Sequence, residues 1–117
     1  MNIGSPTKTN PVRLEKRIGQ AAGPDGRIDK SIAAMLDGGK DKDAIPPYTA
    51  SVDECIALIK RTLPAWHWHV GHGPSGVVPY ASMSRSDGDA DPILAEARAP
   101  TVPLALLGAL IKALDRK

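Results

Sequence analysis

Residues 66–72 read WHWHVGH, and they hold both tryptophans and all three histidines of the chain. Alternation of apolar and polar rings over 65–70 predicts a β-strand, because residues two apart on a strand share a face. Trp66, Trp68 and Val70 then fall on one side, with His67 and His69 on the other. An indole left in water forfeits a large apolar area, so the tryptophan side is expected to face a helical layer. The imidazoles are turned the opposite way, and what covers them becomes the question about function.

The sequence downstream supports a three-stranded antiparallel meander. GHGPSG at 71–76 carries three glycines and a proline, the composition of a hairpin loop. Residues 77–84 read as a second strand, in which Pro79 is tolerable only at an edge or a bulge. The polar turn SRSDGDADP at 84–92 leads to a short third strand over 93–99. Such a meander cannot stand alone, so helices must cover it. One precedes it: Ser51 followed by Glu54 matches a capping box. Val52, Ile56, Ile59 and Leu63 then line one face, with Cys55 beside them, and Pro64 ends the helix. The other follows the strands. Thr101 is a natural N-cap and Pro103 sits in the first turn, where a missing N–H costs nothing. Leu104, Leu107, Ile111 and Leu114, widened by Leu106 and Leu110, make this helix apolar on most sides, which predicts burial.

Upstream, residues 1–11 hold almost nothing to bury and read as a tail. A helical hairpin is expected over 12–37. Val12, Leu14, Ile18 and Ala21 or Ala22 mark its first helix, stopped by Gly23-Pro24. Ile28, Ile32, Met35 and Leu36 mark the second, which ends at Gly38-Gly39. Helices this short must lean on something else. GGKDKDAIPP at 38–47 is a linker, which Tyr48 is expected to fasten onto the following domain. The predicted class is α+β: a helical hairpin, then an α-β-β-β-α domain over 48–117.

Composition narrows the function. Only 3% of residues are aromatic and there is no Phe, so the core must be aliphatic and rich in small residues. A net charge of +2 lacks the gathered Lys and Arg of a nucleic-acid footprint. The lone Cys55 rules out an internal disulfide framework and fits a reducing compartment. The stretch MNIGSPTKTNPVR lacks the apolar core of a signal peptide. The apolar run VPLALLGALI at 102–111 is about half of what crosses a bilayer. A cytoplasmic protein that spans no membrane is expected.

Few residues offer chemistry. His67 and His69 at i and i+2 could ligate one metal, with His72 joining from the loop and Asp87, Asp89 or Asp91 completing a zinc site. Nothing in their spacing demands it, and solvent-facing imidazoles on a pleated surface are the favoured reading. No metal or other cofactor is therefore predicted. Cys55 reads as a small buried hydrophobe rather than a nucleophile. GPSG and GHG lack the helix and the lysine of a phosphate loop. The run 87–91 is not a calcium loop, because Arg98 stands where the closing Glu would be needed.

The stretches GPDGRIDKSIAAML (23–36), PPYTASVDECIALI (46–59), WHWHV (66–70) and EARAPTVPLALLGALIKAL (96–114) occur in that order. Together they resemble a group of small phage and prophage proteins of the "phage ABA sandwich" type. The resemblance covers residues 14–117, although the last helix opens Thr-Val-Pro-Leu in place of that group's Thr-Pro-Ala-Leu. It implies an alpha-beta-alpha layered domain encoded by phage, with no catalytic residues to carry over. Without a convergent acid–base or nucleophile set, the expectation is a non-enzymatic interaction or accessory module. Its partner would be a phage or host protein or a second copy, met through His67, His69, His72 and Tyr80. Two other readings stand beside it. One is metal binding at His67, His69 and His72. The other is nucleic-acid binding, by analogy with the element order of double-stranded RNA-binding domains. The second is disfavoured by Ala99-Pro100-Thr101-Val102-Pro103, which offers no lysine at the start of the last helix.

Overall fold

A computed structural model describes residues 11–36, 45–72, 78–86 and 93–116. Its helices are α1 (Pro11–Gln20), α2 (Gly26–Leu36), α3 (Val52–Thr62) and α4 (Val102–Arg116). Its strands are β1 (His67–His72), β2 (Pro79–Arg85) and β3 (Ile93–Arg98), in one antiparallel sheet of order β1-β2-β3. The α+β class and the meander are as the sequence predicts. The stretch read as a tail, apart from Pro11, most of the linker, Val77 and the loop aspartates 87, 89 and 91 lie outside the described residues.

The helix starts follow from side-chain caps. Ser51 has extended backbone and its hydroxyl accepts from the Glu54 N–H at 3.2 Å, which opens α3. The Thr101 hydroxyl accepts from the Leu104 N–H at 3.3 Å at the head of α4. Asp25 caps α2, its Oδ1 accepting from the Arg27 N–H at 2.8 Å. In the sequence alone Asp25-Gly26 reads as a turn signal.

The α4 helix is the centre of the molecule. Leu104 through Ile111, Gly108 aside, are inaccessible to solvent, so it is enclosed on all sides. One side lies on β2 and β3; the other is covered by α1 and α3. Alanines line the sheet at this contact: Ala81 opposes Ala97, and Met83 opposes Ala95. Their small side chains bring α4 close to the strands, which is how a core without Phe reaches native density. From the far side Leu14, Ile18, Ile28 and Ile32 close the core. Burying each such side chain contributes about 1.5–3 kcal/mol.

Three expectations need correction. The stripe of α3 is turned slightly: Cys55, Leu58, Ile59 and Leu63 are buried, while Val52 and Ile56 are only partly so. This helix packs mainly on α4, because a helix apolar all round needs cover on its outer side as well. The helix that packs on the sheet covers the face of Ala81, Met83 and Ala95, which are buried. Finally, β1 begins two residues later than the alternation suggests. The Trp66 N–H donates to the Leu63 carbonyl at 3.0 Å, which keeps residues 64–66 in the turn leaving α3.

Pro79 opens the central strand. It is the first residue of β2, a place where a missing donor is tolerated.

Candidate functional site

The pairing register places the side chains of the outer sheet face in three cross-strand rows. They are His67–Ser84–Leu94, His69–Ser82–Glu96 and Gly71–Tyr80–Arg98. No helix among the described residues packs against this face. His67, His69, Leu94, Glu96 and Arg98 are exposed, and Tyr80, Ser82 and Ser84 are half-buried among their neighbours. Leu94 is the most exposed large apolar side chain here, at 54%.

Tyr80 organises one end of the face. Its ring covers Gly71, where an added Cβ would stand 3.2 Å from Cε1. A glycine in a strand leaves a gap over the backbone, and a cross-strand aromatic fills it. The same ring lies 6.0 Å from that of His69, tilted by 41°. Two adjacent rings with polar tips form the largest aromatic surface this face offers.

The three histidines do not converge. His67 and His69 share the outer face, whereas His72 lies within β1 at a position facing the helix side. It is therefore not a loop residue free to swing in. No group of three His, Cys, Asp or Glu among the described residues is placed to hold a metal ion. Nor does the row His69–Ser82–Glu96 form a nucleophilic triad. Ser82 stands between the other two, so the imidazole is not interposed between hydroxyl and carboxylate as a relaying base must be.

Cys55 is enclosed. Its thiol donates to the Tyr48 carbonyl at 3.0 Å, and the Pro103 carbonyl lies 3.7 Å away. Burial, reinforced by the negative charges of Asp29 and Glu54, pushes this thiol up from 9.0 to about 12. Such a group is protonated and inert as a nucleophile at neutral pH.

The two tryptophans part company. Trp66 is buried with the Arg85 guanidinium 5.9 Å from its ring centroid, a cation–π arrangement. Trp68 shares the helix-side face with buried Met83, as expected, yet remains 37% exposed. The reason is positional: α4 sits over β2 and β3, and β1 projects past it as an edge strand. Ile59, Leu63 and Pro64 join both indoles around an open groove of about 240 Å³.

Two features of the site escaped sequence reasoning. One is the row partnership of Arg98 with Tyr80, which needs the register. The other is Thr49, the only buried polar residue among the described ones. Its hydroxyl accepts from the Asp25 N–H at 2.7 Å and donates to Asp29 Oδ1 at 2.8 Å. Its own N–H donates to the same carboxylate oxygen at 2.7 Å. This cluster fastens the hairpin to the domain beside Tyr48, which is fully buried. No helix among the described residues is long and apolar enough to cross a membrane. Compared with known proteins, the chain matches no family model, no curated protein and no solved structure.

Proposed function

We propose that this chain is a small non-enzymatic interaction module, of the phage or prophage accessory kind, working through the bare face of its sheet. One observation carries the reading: among the described residues, one face of the sheet has no helical cover. Sheets in small domains usually bury one face and solvate the other, but the solvated face is then uniformly polar. Here it presents an exposed Leu94 and the paired rings of His69 and Tyr80 beside Arg98. Aromatic and arginine side chains are the groups enriched at protein–protein contacts.

A photo-crosslinking amino acid at position 82, in the middle of this face, tests the reading. Host or phage proteins should be captured there and not from a probe at position 60 on the exposed side of α3. Equal labelling from both positions, or none from either, sinks it. The nucleic-acid alternative has no comparable support, because its resemblance is one of element order. A shift of labelled duplex RNA at low salt would revive it.

A further inference from the structure

We propose that two copies of this chain pair through the open edge of β3, joining their sheets into one of six strands. The inference rests on reading the bare face as the working surface, which such a pairing doubles.

The free main-chain groups of β3 can be identified. The Ala99 N–H donates to the Pro79 carbonyl at 3.2 Å, so odd positions point at β2. The Glu96 carbonyl points the other way and accepts from Lys112 Nζ at 2.8 Å. Alternation then turns the N–H and C=O of Leu94, Glu96 and Arg98 toward the open edge. Half the main-chain groups of this strand thus face away from β2, the Glu96 carbonyl among them held by Lys112.

Charge selects the occupant and its register. In a two-fold antiparallel pair centred on Ala97, Glu96 stands opposite Arg98 of the second copy, and Arg98 opposite Glu96. Opposite charges in directly facing positions stabilise a strand pair, and like charges destabilise it. Centring the pair on Glu96 sets two carboxylates face to face, and centring it on Arg98 sets two guanidinium groups together. Only the register on Ala97 gives two complementary pairs. Just past the end of the strand it brings the exposed Leu94 near Pro100 of the second copy, withdrawing apolar surface from water although proline has no N–H to give the Leu94 carbonyl. The other edge offers no such complementarity, since His67–His72 in β1 carries no Asp, Glu, Lys or Arg.

Lys112 guards the edge in the monomer, as lysines commonly do. It yields by rotating its flexible stem. Beside it Glu15, Glu96 and Asp115 border a cleft of about 390 Å³ into which the stem can turn. The two-fold axis runs perpendicular to the sheet, so the His67, His69 and Tyr80 faces of both copies end on the same side.

Sedimentation velocity of the untagged full chain, over a wide concentration range, tests the pairing. A monomer–dimer equilibrium weakened by salt is expected. Glu96→Arg alone and Arg98→Glu alone should each raise the dissociation constant by about tenfold or more, and the two combined should restore it. Both side chains are exposed, and matching thermal melts show that each variant folds. Amide exchange at Leu94, Glu96 and Arg98 should slow on dimerisation. A monomer at every concentration overturns the proposal. So does a dimer indifferent to the single reversals, or one the double reversal fails to rescue. A monomer that still crosslinks a partner from position 82 overturns the pairing and leaves the interaction reading intact.

Discussion

A Cβ on Gly108 would stand 2.9 Å from the Cβ of Ala97, so α4 and β3 meet there with no room for a second methyl. Neither atom belongs to a side chain that can bend away. Gly108→Ala should therefore destabilise the protein, although alanine favours helices over glycine by about 1 kcal/mol. Overpacking costs about 1–3 kcal/mol, leaving a net loss of roughly 1 kcal/mol in urea unfolding. Ala97→Gly in the same molecule should recover most of it. A Gly108→Ala variant more stable than the parent would disprove the contact.

The Thr49 cluster joins the hairpin to the domain. Thr49→Val keeps the shape but leaves the Asp25 N–H and the Asp29 carboxylate short of partners. The expected loss is about 1–3 kcal/mol, with Thr49→Ser close to the parent. Hydrogen exchange should quicken first in α2, whose Asp25 cap the cluster holds in place. Uniform quickening across the molecule would show that the cluster is no local tie.

Cys55 makes a prediction about pH. The fold holds its proton up to about 12, whereas an exposed thiol loses it from 9.0 upward. Across that window the unfolded chain binds fewer protons than the native one, so this contribution to stability is complete below 9.0 and is lost as pH rises toward about 12. Cys55→Ser should flatten that part of the profile. At about pH 8 an aromatic disulfide reagent should label Cys55 only after denaturant is added. Rapid labelling of the native protein would contradict the enclosure.

His67 and His69 should not retain metal. Elemental analysis of untagged protein is expected to find no stoichiometric zinc, and added zinc should leave the melting temperature of the parent and of His67→Ala/His69→Ala alike. One tightly held zinc per chain, lost in that variant, would require a third ligand from outside the described residues.

Much of this architecture is legible residue by residue. Ser51 and Thr101 announce their helices, because a hydroxyl at an N-cap acts on amides only two or three positions away. The alternation after Trp66 announces a strand, and the apolar girth of 104–114 announces a buried helix. Where the reading slipped, the missing information was long-range. Trp68 faces the helix side as its parity predicts, but its partial exposure depends on α4 lying over β2 and β3. His72 was expected in a loop, but the Tyr80–Gly71 contact helps carry β1 past that glycine.

The sequence by itself determined the order of the elements, where most of them start, and which side chains share a face. Those properties come from local backbone geometry and the periods of helix and strand. Long-range packing sets α1 of the hairpin on α4 and, among the described residues, leaves the histidine face of the sheet bare. An apolar stripe states that it must be buried but not against what. That choice belongs to the helix with no polar side, since α4 must be covered twice and the sheet needs cover only once.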